Sequence, residues 1–498
     1  MSNTPYTDIQ SLYINGAWQK PSQGQYEAVI NPATEAEIGQ APVASASDAS
    51  DALAAARNAF DHGEWPLMSM AERIDVMRRF RDCLKAHQAE ICALVQAEVG
   101  ATHLLLGGPQ FNGVIDALNY TMELAAQIKP TNNDVVVTPS LLDPTSSGTL
   151  GGAVTVQDPY GVVVGISAYN YPLLINMTKL APALITGNTL VLKPSPLTPF
   201  SALLLGKIAE EAGLPAGVLN IVTGGADVGE VLTGDPRVDL ISFTGSDAVG
   251  SAILTQSAKT LKKVHLELGG KSAMIVRADA DLAIAAGNAA FNFTMHAGQG
   301  CALLTRYLVH NSIRPAFVEA VKGVLSQLQV GDPADPQTII GPLISEAARA
   351  KTEHYVQQGL AQGAELVFGG QRPEGLEKGY FHNPTLFNDV NNSSVVAQEE
   401  VFGPIGVIIG FDTDEEAIAM ANDSTFGLSG GIISADTVTA FAMAKKLRTG
   451  DVKINGGTGG LYLQAPFGGY KRSGIGREFG PHWLNEYMLE KAIHYAIG

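Results

Sequence analysis

From Asp158 to Val276 the chain alternates short apolar runs with stretches of helical spacing. Gly161–Ser167, Thr189–Lys193, Leu219–Thr223, Leu240–Thr244 and Val264–Leu268 read as strands, each bounded by turn residues or polar positions. Between them, Leu173–Leu184, Phe200–Ala212, Val228–Leu232 and Ala248–Ser257 carry the apolar spacing of helices. Strands that alternate with helices predict a parallel sheet covered on both faces. The layout is of the dinucleotide-binding type.

A second α/β series starts after Gly270, with a strand at Ala273–Val276, a helix through Ala280–Phe293 and a strand at Arg306–Val309. Gly269-Gly270 therefore marks a domain boundary. Gly148–Val156 and Leu489–Ile497 look extended, and Ala71–Val99 has roughly helical spacing throughout. Two long uncharged runs, Pro159–Thr178 and Leu282–Thr305, could pass for membrane spans. Their prolines, asparagines and His296 make buried α/β segments the better reading. Met1–Gln10 is polar and shows no secretory leader, so a cytoplasmic protein is expected.

With 498 residues the chain needs two or three domains. Its net charge of −17 argues against nucleic acid or an anionic membrane as partner, though not against a phosphate-bearing cofactor held locally. Three cysteines, Cys83, Cys92 and Cys301, form no disulfide framework, and no cluster has metal-ligand spacing. Cys83 and Cys92 read as packed helix-face residues.

Cys301 is different. It ends Gly298-Gln299-Gly300-Cys301, a small-residue setting that leaves a soft nucleophile open to attack a substrate. Glu267 lies in Leu266-Glu267-Leu268-Gly269-Gly270-Lys271, where two glycines leave a carboxylate room to move. Tyr169-Asn170-Tyr171-Pro172 stands upstream, and Glu400-Val401-Phe402-Gly403-Pro404 and Pro466-Phe467-Gly468-Gly469-Tyr470-Lys471 stand downstream. Together and in this order, beginning at Tyr13-Ile14-Asn15-Gly16, these motifs resemble the aldehyde dehydrogenase superfamily over nearly the whole chain. The resemblance implies an α/β fold in three parts. A Rossmann-type cofactor domain would take residues 1–135 and 159–268, and an α/β catalytic domain 269–475. A small β oligomerisation arm, residues 136–158 and 476–498, would join subunits into a homodimer or homotetramer.

For the cofactor, Phe243-Thr244-Gly245-Ser246 with Gly250 follows a strand and opens a helix, where a pyrophosphate can approach the backbone. On residues alone an ordinary glycine turn is the better reading; the resemblance gives Ser246 the pyrophosphate. Lys193, at a strand's end, reads alone as a solvated lysine, and by resemblance as a ligand of the adenosine ribose beside Ser195 and Pro196. Ile166, Tyr169 and Leu268 would line the same cleft. Glu400 and Phe402, alone an acidic loop before a turn, would hold the nicotinamide ribose and pack by the ring. Pro196 stands where many NAD-preferring relatives carry a glutamate that repels a 2′-phosphate. No arginine nearby rewards that phosphate either, so NAD is the expected cofactor, with NADP tolerated.

The implied reaction oxidises an aldehyde to a carboxylic acid. Cys301 attacks the carbonyl, hydride leaves, and Glu267 activates the water that hydrolyses the thioester. Asn170, alone readable as a helix cap, would hold the oxyanion with the Cys301 backbone N–H. His265, on the strand face of Glu267, and His296 are expected to support their neighbours only. Tyr171, Leu174 and Thr178 on one helix, with Gly300, Leu461, Tyr462 and Phe467, would line a roomy apolar channel for a hydrophobic aldehyde. A semialdehyde dehydrogenase acting on an acid-bearing substrate, and a non-catalytic structural relative, are the alternatives.

Overall fold

The computed structural model describes residues 10–143 and 145–497. Apart from Gln10, the polar opening Met1–Gln10 lies outside the described residues. The first α/β series forms β1 (Val162–Ile166), α1 (Pro172–Ile185), β2 (Thr189–Lys193), α2 (Phe200–Ala212) and β3 (Leu219–Ile221). It continues with α3 (Ala226–Gly234), β4 (Leu240–Thr244), α4 (Asp247–Ser257) and β5 (Lys263–Glu267). The five strands are parallel in the order β3-β2-β1-β4-β5. Leu12–Ile14 and Gly474–Ile475 add antiparallel edges next to β3 and β5.

Alternation within the strands explains why both faces are covered. Val163, Leu190 and Leu192 enter one apolar core, while Val162, Val164 and Val191 enter the other. Successive side chains point to opposite faces, so a sheet buried on both sides needs an unbroken apolar strand. From β1 the chain moves outward through β2 and β3, then returns to lay β4 on the other side of β1. That reversal opens a crevice at the carboxyl ends of β1 and β4, where α/β sheets bind ligands.

A second, seven-stranded sheet is centred on Leu304–His310 and β6 (Ser272–Val276), which follows β5 after the Gly269-Gly270 turn. All its neighbouring strands are parallel except the edge strand Glu365–Phe368. α5 (Leu282–Thr294) covers one face. A third, antiparallel sheet pairs Met488–Ala496 with Thr149–Pro159, and Thr131–Asn132 and Val136–Thr138 add to it.

Some boundaries differ from the sequence expectation. Residues 71–99 form two helices, Met70–Ala86 and Gln88–Val99, because His87 leaves helical geometry and its ring bonds Glu90 and Glu211. The segment before the last strand packs on the first sheet's core through Phe479, Trp483 and Tyr487 rather than joining the arm. There the Tyr487 hydroxyl donates to Ser242 Oγ at 3.0 Å.

A buried ion pair fastens this segment. Lys179, on α1, meets Glu478 at 2.6 Å with both side chains almost fully enclosed. Removing one partner leaves an unpaired buried charge, which costs about 3–5 kcal/mol, whereas replacing both with apolar groups is often tolerated. Lys179→Met should therefore lower the urea-unfolding midpoint clearly, and Lys179→Met/Glu478→Leu should recover most of the loss. Equal destabilisation by the single and double variants would contradict this account.

Candidate active site

The crevice at the switch point collects the residues expected at a cofactor. Ser246 caps α4, its Oγ accepting from Val249 N at 3.4 Å, and Gly245 N donates to the Glu267 carbonyl at 3.1 Å. A Cβ on Gly245 would overlap the Phe243 ring, and one on Gly250 would lie 2.8 Å from Leu268. Both glycines thus keep the backbone of the turn close to strand and helix. Ile166 and Leu268 are buried behind it.

Lys193 is buried at the end of β2, and among the described residues its amine makes one hydrogen bond, a 3.5 Å contact to the Pro194 carbonyl. Burial lowers its pKa to about 8, partly offset by Asp227. Ser195 is half-buried and Pro196 exposed. Glu400 docks on the glycine turn, accepting from Gly270 N at 3.0 Å, and it fills the space a Cβ on Gly269 would need. Phe402, in left-handed backbone at φ 58°, meets the Tyr169 ring edge-to-face at 5.9 Å. A capped helix N-terminus, a buried amine with one long contact and a docked carboxylate fit a dinucleotide.

Cys301 is half-buried after the turn Met295–Gly298. His296 and Ala297 there are held in left-handed backbone at φ 51° and 52°, a strained conformation for non-glycine residues. Gln299 anchors the loop that follows. Its side-chain amide donates to the carbonyls of His296 and Pro342, and its Oε1 accepts from Ile344 N. Its own carbonyl accepts from Asn170 Nδ2 at 2.9 Å. Gln110 in turn donates to the Asn170 carbonyl at 2.8 Å. An amide carries two N–H groups, so Asn170 keeps one for a ligand while the other fixes its direction. The sequence reading named neither glutamine as functional. Gln110 closes the kinked segment Leu106–Gln110, where Gly108 leaves helical geometry.

Glu267 is buried, and neither carboxylate oxygen has a hydrogen-bond partner among the described residues. Its Oε1 lies 3.6 Å from His265 Nε2, as expected for residues two apart on one strand face. Burial, then the nearby Glu478, push Glu267 well above the usual carboxylate range, while Lys179 and Arg477 pull it back. Burial holds His265 well below the usual imidazole range and brings His296 to about 4, so both are neutral. Burial, then Glu400, Glu267 and Glu478, raise the Cys301 thiol to about 12. Close packing around Glu267 depends on glycine. A Cβ on Gly468 would lie 2.7 Å from Glu267 Oε1, one on Gly476 would overlap His265, and both backbones have positive φ.

The expected channel residues divide. Tyr171 and Leu174 are half-buried at the edge of the first core, with Tyr120, Met295, Leu463 and Phe467. Leu461 and Tyr462 are exposed, and Gly459 and Gly460 face open space. Thr178 does not open the channel as expected: it is buried, with Oγ1 turned back to the Ile175 carbonyl. Nor does Gly300 leave a void, because Leu303 occupies the place a side chain would take. Among the described residues no cluster could hold a metal ion, and no helix is long and apolar enough to cross a membrane.

A model of the aldehyde dehydrogenase family matches residues 18–493. The chain is 38% identical over 488 residues to a betaine aldehyde dehydrogenase of Bacillus subtilis (strain 168), covering 97% of each protein. It is 39% identical to a 3-succinoylsemialdehyde-pyridine dehydrogenase of Pseudomonas sp., covering 98% of each. A crystal structure of a Mycobacterium tuberculosis aldehyde dehydrogenase complexed with NAD+ superposes with a TM-score of 0.91 at 41% identity. That match covers 97% of this chain and 98% of the other.

The resting protonation of the site can be measured directly. A thiol held near 12 is protonated at neutral pH, and only the thiolate alkylates. Without ligands, carboxymethylation of Cys301, followed by mass spectrometry, should accelerate about tenfold per pH unit from about pH 7 to pH 10. A rate that levels off below pH 9 would show a thiolate already present at rest.

Proposed function

The chain belongs to the aldehyde dehydrogenase family, and from that premise we propose that Cys301, Asn170 and Glu267 carry out the oxidation, on an apolar aldehyde. The observation that carries this reading is the hydrogen bond joining the Asn170 amide to the loop of Cys301. It puts an oriented N–H donor beside a nucleophile, with a buried, unpartnered carboxylate close enough to raise the thiol's pKa.

Bound NAD supplies a hydride acceptor with a cationic ring. Lys193, Ser195, Gly245, Ser246 and Glu400 would hold it, with Ile166, Tyr169, Leu268 and Phe402 packed around it. The Cys301 thiol gives its proton up to water, its Sγ bonds to the carbonyl carbon and the carbonyl oxygen takes the electron pair. The free Asn170 N–H and the Cys301 backbone N–H stabilise that oxyanion; losing one such donor costs roughly 10²–10³ in rate. Departure of hydride with its two electrons leaves a thioester on sulfur. Glu267 then takes a proton from water, whose oxygen attacks the thioester carbon. The carbon–sulfur bond breaks, the acid leaves and the thiolate returns. The raised pKa of Glu267 suits a base that must hold the proton it removes.

Tyr171, Leu174, Leu463 and Phe467 give the approach an apolar wall. The Pseudomonas relative is named for a semialdehyde, which keeps a polar substrate as the second reading. Against an acid-bearing one, the segments 171–178 and 456–467 contain neither lysine nor arginine. The third sheet leaves Val136, Leu150, Leu489 and Ile493 in water. Such a patch on an open-edged sheet fits burial against a second copy, in a homodimer or homotetramer. Three free thiols suit a reducing cytoplasm.

Cys301→Ala should abolish aldehyde-dependent absorbance at 340 nm while NAD still binds by calorimetry. Substantial turnover in that variant would refute the nucleophile. Glu267→Gln should give a burst of reduced cofactor, then a slow steady state limited by thioester hydrolysis; dependence of wild-type turnover on coenzyme A would overturn the hydrolytic step.

Cofactor choice has its own test. Pro196 is exposed and places no charge beside the adenosine ribose, so NADP should be used detectably. Pro196→Glu should lower the NADP-to-NAD ratio of kcat/KM by about 3–10-fold, as expected for like charges in a partly screened site. An unchanged ratio would place discrimination elsewhere, and equal loss with both cofactors would implicate the loop's fixed backbone.

A further inference from the structure

Behind the nucleophile loop lies a small cavity, about large enough for one water-sized guest, that belongs to the second sheet rather than to the crevice. Two buried cationic side chains line it, Lys271 and Arg306. Arg306 spends its terminal nitrogens on neutral oxygens: Asn392 Oδ1 and the carbonyls of Met420, Ala421 and Asp423. Its Nε–H is buried with no partner. Lys271 forms no hydrogen bond or ion pair with any described residue.

The nearby carboxylates accept hydrogen bonds from neutral donors and meet neither cation as an ion pair, though Glu400 and Glu399 favour charged Lys271, and Asp423 charged Arg306, from further off. Asp451 accepts from Ser429 Oγ at 3.0 Å, Asp423 from Asn392 Nδ2 at 3.1 Å, and Glu399 from the Tyr355 hydroxyl at 2.6 Å. Glu400 is docked on Gly270. Two cations therefore share one cavity without an ion-paired counter-charge, and an unpaired buried charge is costly.

We propose that this cavity binds one small monovalent anion of halide size, held between the Lys271 ammonium and the Arg306 Nε–H. The small cavity favours a compact anion, and the guanidinium is charged at every physiological pH. Such an anion would also keep Lys271 protonated, against burial that otherwise brings it down to about 7. Lys271 lines a second cavity with Gly300 and Glu400 as well, so the anion would act on the electrostatics at the back of the nucleophile loop. The proposal does not depend on the assigned reaction.

Crystals of the wild-type protein soaked in sodium bromide and measured at the bromine edge should show an anomalous peak between Lys271 Nζ and Arg306 Nε. An ordered water there, with bromide only at the surface, would overturn the proposal. In solution, chloride or bromide should raise the thermal midpoint over gluconate at equal ionic strength, and Lys271→Met should abolish that difference. The same halide-dependent rise in Lys271→Met would also overturn it. Should that variant not fold, the diffraction experiment on the wild-type protein decides alone.

Discussion

The hydrogen bond from the Asn170 amide to the Gln299 carbonyl joins the two halves of the molecule where their chemistry meets. Asn170 stands at the β1–α1 junction of the first sheet, and Gln299 in the turn that carries Cys301 on the second. Each end is fixed independently, by Gln110 on one side and by three bonds of the Gln299 side chain on the other. A donor aimed at a developing charge acts only if it need not move when the charge appears. Here the aim is set by residues that have no other evident task. Precision at the centre therefore rests on buried amides some distance from the reacting atoms.

Around that link the cleft gathers acidic and thiol groups with little cation to offset them. Glu267, Glu400 and Glu478 all act on Cys301, while Lys179 and Arg477 moderate Glu267. Low-dielectric surroundings make both thiol and carboxyl prefer their protonated forms. A cation entering such a place would favour their charged forms, and without one idle thiolate chemistry is discouraged. The ion pair that fastens the C-terminal segment thus also acts on the proposed base, linking stability to the protonation of Glu267 through Lys179 and Glu478.

How much of this could be read in the chain differs by scale. Thr189–Lys193, Phe200–Ala212 and Leu240–Thr244 begin and end where apolar runs meet turn residues, because their burial on both faces leaves little freedom. Glu267 and His265 sharing a face follows from strand periodicity alone. The break at His87 was not legible, since no proline or glycine announces it and its cause is a bond to Glu211 on a distant helix. Gln110, Gln299, Lys179 and Glu478 were missed for the same reason: each gains its role from a partner far along the chain. The local packing at Thr178 and Gly300 was not legible either, because side-chain size says nothing about which neighbour already fills the space. The roles of the matched motif residues came from resemblance, and local sequence alone left several of them open.

The glycines beside Glu267 carry a consequence for how such an enzyme can change over generations. At Gly468 and Gly476 even one added carbon collides with the base or its histidine neighbour, so drift there is blocked by geometry whatever the substrate. Gly460, a few residues away, faces open space without left-handed backbone and can accept a side chain. The same loop therefore holds an immobile stretch and a free one. Lineages exploring new aldehydes would be expected to write their differences into the second and leave the first untouched.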